Sequence, residues 1–221
     1  MPEETIVLVH GLWMNGLDML VMRQRLARAG YRTRQFSYHT LRDSPLESAL
    51  LLHHYAVDLD APVLHFVCHS LGGLIIRHLL HEFPQQPPGR VVTLGTPHQP
   101  SSAARQLTCA APGRALLGRS TEQGLLGEVP SWHSDHELGS IAGDLRLGFG
   151  MLIPGIPRPN DGTVAVAETH LEGMTDHTVV HASHFGMLFS RETVRLIVNF
   201  LRTGNFSGKR IVTSNGVFRE E

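Results

Sequence analysis

The sequence predicts an α/β protein with a mostly parallel sheet covered by helices on both faces. Three observations carry that expectation. Short apolar runs rich in β-branched residues alternate with segments of helical period, a pattern that calls for right-handed crossovers between parallel strands. Glycine or proline punctuates most of the junctions. One apolar run, ending at His69, turns abruptly through Ser70-Leu71-Gly72-Gly73 into a helical pattern.

Taken in order, Thr5 to Val9 is the first strand, and His10-Gly11 turns the chain. Leu17 to Ala29 reads as a helix closed by Gly30, because glycine readily adopts the left-handed conformation that ends helices. Tyr31 to Tyr38 alternates loosely and is a second strand. Ser44-Pro45 opens a helix toward Leu59, with serine at the N-cap and proline at the first helical position. Ala61 to Val67 is a buried strand. Leu71, Leu74, Ile75, His78 and Leu79 then recur at helical spacing until Phe83-Pro84 stops them.

Arg90 to Leu94 is the next strand. Regularity fails from Thr96 to Ser134, where glycine, proline and small residues dominate. A structureless loop of that length is uncommon in a compact domain, so 96–134 is expected to fold into short helices as a cap or lid insertion. Glu137 to Ala142 and Asp176 to His181 are the last strands, separated by a loop over Gly148 to Gly162. Ser190 to Leu201 is an amphipathic helix with Val194, Ile197, Val198 and Leu201 on one face. The segment after Gly204 is polar apart from Ile211, Val212, Val217 and Phe218.

The whole chain, residues 1–221, is expected to form one domain able to bury roughly 70–75% of its unfolded surface. A formal net charge of −1 offers no general attraction to nucleic acid or anionic membranes. No apolar run reaches the roughly 18 residues of a membrane span. With no secretory leader pattern, a cytoplasmic location is expected. The two cysteines, Cys68 and Cys109, make no disulfide framework and are read as reduced and structural. The 15 histidines include the pairs His53-His54 and His78 with His81, but carboxylates or cysteines do not cluster with them, so no metal or cofactor is expected. Arg23, Arg25, Arg28, Arg32 and Arg34 read as a solvated face.

Cys68-His69-Ser70-Leu71-Gly72-Gly73 reads as a nucleophile elbow with cysteine at its first small position. Such a turn presents serine at the end of a strand and needs small neighbours so that strand and helix can approach. A serine hydroxyl is a weak nucleophile and needs a base, and the base needs a partner that fixes its tautomer. Asp161, in the turn Asn160-Asp161-Gly162, and His184, in the loop after the last strand, supply both in the order serine, acid, histidine. Asp144 and Asp135 are alternatives for the acid, and His181 for the base. His69 is read as packing beside the elbow. Leu71, after the nucleophile, and Leu12, in the His10-Gly11-Leu12-Trp13 loop, are the expected oxyanion-hole donors. Trp13 and Met14, with Leu17, Met19 and Leu20 nearby, are candidates for lining a pliable apolar pocket.

These blocks, together with Val91-Val92-Thr93-Leu94-Gly95, Asp161-Gly162-Thr163-Val164 and His184-Phe185-Gly186-Met187-Leu188, resemble the small lipases and esterases of the α/β-hydrolase superfamily. The resemblance departs at Cys68, where glycine or another small residue is usual, and in 96–155, which is longer than in the most compact lipases. It implies an α/β-hydrolase fold and hydrolysis of a small-molecule or lipid ester through an acyl-enzyme on Ser70. An acyltransferase or amidase with the same residues is the nearest alternative, and a non-catalytic binding module of the same fold is another.

Overall fold

The computed structural model describes residues 4–208, except 110, 149, 150 and 152. Six strands form one parallel sheet: β1 (Glu4–Val9), β2 (Arg32–Phe36), β3 (Val63–His69), β4 (Arg90–Leu94), β5 (Glu137–Gly143) and β6 (Asp176–Val180), in the spatial order β2-β1-β3-β4-β5-β6. Val9 pairs with Cys68, His69 with Leu94, and Leu94 with Ile141. The carboxyl ends of the central strands therefore finish level with one another, and the loops that follow them meet at one edge. Ligands bind at that edge in open α/β sheets.

Alternation along the strands sends side chains to two separate cores. Phe66 and Cys68 pack on the face covered by α2 (Pro45–Asp58) and α3 (Gly72–Glu82). Val67 and its neighbours Ile6, Leu8 and Val92 pack on the other, with α1 (Leu20–Arg28) and α7 (Arg191–Thr203). Helix α2 begins as expected: the Ser44 hydroxyl accepts from the Glu47 amide, the Glu47 carboxylate accepts from the Ser44 amide, and Pro45 occupies the first turn. Such a reciprocal box satisfies two orphan amides at once. Helix α7 starts at an equivalent serine, Ser190, and stops at Gly204 with φ 78°.

The first helix differs from its expected span. Leu17–Met19 is a 3₁₀ turn, and the α-helix begins only at Leu20 because Met19, at φ −92° and ψ 4°, breaks the α geometry. The insertion 96–134 does fold into short helices, α4 (Ser102–Thr108) and α5 (Ala111–Leu117), followed by a 3₁₀ turn at Gly118–Thr121. A four-residue helix, α6 (Gly186–Phe189), precedes α7. Cys68 is buried, but Cys109 is exposed at the end of α4, where its thiol donates to the Arg105 carbonyl; the structural reading holds for Cys68 alone. Of the segment after Gly204, Phe206 packs on Phe200 in the core, while Ile211, Val212, Val217 and Phe218 lie outside the described residues. Among the described residues, no helix is long and apolar enough to cross a membrane.

Candidate active site

Ser70 sits between β3 and α3 with φ 52°, a left-handed conformation that non-glycine residues adopt only when their surroundings hold them there. Its surroundings do so. The Ser70 amide donates to the Leu94 carbonyl at 2.9 Å, and the Thr96 hydroxyl donates to the Ser70 carbonyl at 2.8 Å. Close packing accounts for the two glycines that follow. A methyl group on Gly72 would stand 2.6 Å from the Val9 carbonyl oxygen, and one on Gly73 would collide with the Thr96 side chain. The strand beneath is equally tight, since Cys68 is fully buried and burial pushes its thiol far above the ordinary range, so it stays protonated.

Asp161 and His184 are brought together at the ends of the loops after β5 and β6. The Asp161 carboxylate uses its two oxygens differently: Oδ1 accepts from the amides of Thr163 (2.9 Å) and Val164 (2.7 Å), and Oδ2 accepts from His184 Nδ1 at 2.7 Å. The backbone repeats the link, with the His184 amide donating to the Asp161 carbonyl at 2.9 Å. Both side chains are almost fully buried, 1% and 6% exposed respectively. An ionised carboxylate only accepts, so this contact places the imidazole proton on Nδ1 and leaves Nε2 as an acceptor.

His69 completes this framework from below. Its Nε2 donates to the His184 carbonyl at 3.1 Å, and its ring lies 4.6 Å from the His184 ring. Burial, followed by the His184 charge, holds His69 well below the usual histidine range, so it stays neutral. Gly11 packs against the same ring: a methyl group there would be 2.8 Å from His69 Nδ1 and 3.0 Å from Ser70 Cβ. The His10-Gly11-Leu12 loop is braced from the other side by Tyr38. That ring stacks on His10 at 4.4 Å and 10°, its hydroxyl donates to the His10 carbonyl (2.8 Å), and its amide donates to His10 Nε2 (3.4 Å).

Ser70, His69 and His184 open into one cavity of about 490 Å³. Its wall is apolar: Leu12 and Trp13 from the loop after β1, Leu107, Leu116 and Leu125 from the insertion, and Ile153, Val164 and Phe185 from the late loops. Among the described residues, no Asp, Glu, Lys or Arg lines it. Trp13 lines the cavity at φ 61°, with its indole donating to the Leu116 carbonyl at 2.7 Å across the mouth. Met14 does not. It is buried behind the loop, where its sulfur accepts from the Gly11 amide at 3.3 Å, and it supports the loop instead of lining the cavity. Met19 is likewise core, and Leu17 is exposed to solvent. Residue order alone does not reveal that the apolar side chains of α4 and α5 fold back over Ser70. Their signal was the spacing of Leu107, Leu116, Leu117 and Leu125 within an otherwise small and polar stretch.

The rivals are also placed. Asp144 accepts from His181 Nδ1 at 2.8 Å on the exposed edge of the sheet, and neither residue reaches the cavity. Asp135 lies at the opposite end of β5 from Asp161.

No family sequence model matches the chain, and no curated protein sequence matches it. Solved structures do. The mature lipase BlEst2 of Bacillus licheniformis superposes with a TM-score of 0.68 at 20% identity, over 85% of this chain and 87% of that one. The RedJ thioesterase of the prodiginine pathway in Streptomyces coelicolor superposes with a TM-score of 0.58 at 13% identity, over 90% and 89%. The lin2722 product of Listeria innocua covers 97% of both chains with a TM-score of 0.59 at 15% identity. With its six parallel strands, its elbow after β3 and its helices on both faces, the chain has the α/β-hydrolase fold.

Proposed function

We propose that the protein is a serine esterase or lipase that hydrolyses carboxylic esters with an apolar acyl group. One observation carries the reading: His184, backed by the buried Asp161, lines an apolar 490 Å³ cavity together with a serine held at φ 52°. Ser70 Oγ attacks the ester carbonyl carbon while His184 Nε2 takes its proton. The amides of Leu12 and Leu71 hold the oxyanion that forms. Leu71 suits this because it caps the start of α3, where amides have no acceptor within the helix. Leu12 suits it because it lines the cavity from the loop braced by Tyr38. Collapse of the tetrahedral species expels the alcohol with the proton from His184. Water, deprotonated by His184, then attacks the acyl-enzyme and releases the acid.

Asp161 holds the imidazole tautomer and stabilises its cation. Each oxyanion donor is worth about 2.7–4 kcal/mol of transition-state stabilisation in related chemistry. The uncharged wall favours neutral acyl chains, because a charged one would be desolvated without a partner. The test is labelling with a fluorophosphonate, followed by turnover of p-nitrophenyl esters of several chain lengths and of an acyl thioester, in wild type and Ser70→Ala. Labelling and turnover that both vanish in Ser70→Ala are expected. A wild type that neither labels nor turns over any of these substrates would leave only a binding module.

A further inference from the structure

Strands β1 and β2 are parallel neighbours, so the chain that leaves β2 passes the loop that leaves β1. Three side chains of that passing segment hold the loop. The Tyr38 hydroxyl donates to the His10 carbonyl (2.8 Å), the Thr40 hydroxyl accepts from the Trp13 amide (3.2 Å), and the Ser37 hydroxyl donates to the Asn15 carbonyl (3.0 Å). Tyr38 and Thr40 are buried, whereas Ser37 is exposed.

The loop satisfies most of its other polar groups within itself. The Gly11 amide donates to the Met14 sulfur (3.3 Å), and the Met14 amide donates to the Gly11 carbonyl (3.4 Å). With the Trp13 amide on Thr40, the amides of residues 11, 13 and 14 are all occupied. Of these four consecutive amides, only that of Leu12 has no acceptor among the described residues. Backbone amides in folded proteins are nearly always paired, so an open one on a residue that lines the Ser70 cavity is a donor kept for an incoming atom.

Its direction is fixed through a short chain of contacts that begins at Tyr38. The Tyr38 ring stacks on His10, and the Tyr38 amide donates to His10 Nε2. On its other side the His10 ring donates from Nδ1 to the Gly11 carbonyl at 3.0 Å. That carbonyl and the Leu12 N–H belong to one planar trans peptide and point in opposite directions, so holding the first aims the second. Trp13, at φ 61°, is kept in its left-handed conformation on the far side of Leu12 by the bond to Thr40.

We propose that Tyr38 is a positioning residue for ester hydrolysis: with Thr40, it holds the Leu12 amide where the oxyanion forms. The role rests on the esterase reading of Ser70. Tyr38 lies outside the cavity lining and touches no substrate; it acts through His10 and the Gly11–Leu12 peptide.

The test compares wild type with Tyr38→Phe, Thr40→Val and Tyr55→Phe. Tyr55 is the control, since its hydroxyl also donates to a backbone carbonyl, that of Gln35 at 3.2 Å, but makes no bond to residues 10–14. Turnover of p-nitrophenyl butyrate is read beside inhibition by hexyl trifluoromethyl ketone and by the secondary alcohol of the same skeleton. Ser70 Oγ adds to the ketone carbon, its proton passes to His184 Nε2, and the ketone oxygen becomes an oxyanion. The alcohol only fills the cavity. Tyr38→Phe is expected to lower kcat about tenfold with KM within about twofold, and to raise Ki for the ketone about tenfold but not for the alcohol. Thr40→Val is expected to act in the same direction, and Tyr55→Phe to stay within about twofold of wild type throughout. Ki values for ketone and alcohol that rise together, or a Tyr38→Phe loss no larger than that of Tyr55→Phe, would overturn the role and leave the esterase reading standing. A wild type without turnover or Ser70 labelling would overturn that reading, and this role with it. Should Tyr38→Phe fail to fold, the same comparison of ketone and alcohol in Thr40→Val decides.

Discussion

Two histidine–aspartate pairs stand at the same edge of the sheet, three residues apart at the histidine, and their contacts are nearly identical. His184 Nδ1 meets Asp161 at 2.7 Å and His181 Nδ1 meets Asp144 at 2.8 Å. Their surroundings are opposite. The first pair is 6% and 1% exposed; the second is 77% and 39% exposed. Asp161 is fixed by two amides on its free oxygen, and His184 is fixed by its own amide and by His69 at its carbonyl. The exposed pair has water for an alternative partner, and such pairs contribute about 0–1 kcal/mol. A hydrogen-bond length does not make a site; the immobilisation around the bond and the cavity it faces do.

The comparison breaks most directly at the histidines. His184→Ala is expected to lower kcat for p-nitrophenyl esters by about 10⁶-fold, and His181→Ala to leave it within about twofold. Equal losses would erase the distinction between the pairs. The acids follow at smaller amplitude: Asp161→Asn is expected to cost about 10⁴-fold in kcat through the wrong imidazole tautomer, with Asp144→Asn nearly silent in the same assay. A third test inserts bulk without removing any polar group. A methyl at Gly95 would lie 2.9 Å from Asp161 Oδ2 and 3.0 Å from His184 Nδ1, so Gly95→Ala is expected to cost about 10²-fold in kcat by displacing the pair. Gly95 also has φ 55°, so urea unfolding of the same variant separates loss of fold from loss of alignment.

The smallest effect concerns acid stability. Burial, and then the Arg77 charge, push His98 down to about 3, so the folded state holds this ring neutral where the unfolded chain would protonate it near 6.5. The unfolded state then binds more protons, and stability present above about pH 6.5 is lost as pH falls toward 3. Between pH 7 and pH 5, His98→Asn is expected to flatten the pH dependence of urea unfolding by about 2 kcal/mol. His181→Ala, from the exposed pair, is expected to leave that dependence as in wild type, and a flattening there would show that exposure was the wrong criterion.

The elbow was legible because its determinants are local. A β-rich run, a serine and two glycines lie within a dozen residues, and each is demanded by its immediate neighbours, as the Gly72–Val9 approach illustrates. Asp161 was legible for a related reason: the tight turn it makes with Gly162 is written in three consecutive residues. The choice between His181 and His184 rested on Gly186 and the apolar run after it, which builds the short helix that carries His184 inward. Support for the His10-Gly11-Leu12 loop was not legible, because it comes from Tyr38, two residues beyond a strand that alternates too weakly to show which side chain turns inward. Met14 misled for the same reason. A methionine next to a tryptophan in a loop carries no periodicity, and only the packed structure separates the one that lines the cavity from the one beneath it. The carbonyls of His98, Val129 and Pro130 that Arg77 braces were invisible as well, since an arginine amid the leucines of α3 reveals neither its burial nor what it meets.

The hydrogen bond between the Trp13 indole and the Leu116 carbonyl has a spectroscopic consequence. The chain has two tryptophans, and each marks a different cavity: Trp13, 46% exposed, at the mouth of the cavity that Ser70 lines, and the buried Trp132 in the wall of a second, polar cavity lined by Arg77 and Gln99. Because indole emission shifts with solvation, the protein carries two unlabelled reporters that single Trp→Phe variants separate. A ligand entering the cavity beside Ser70 is expected to displace water from one fluorophore and to leave the other in its original surroundings.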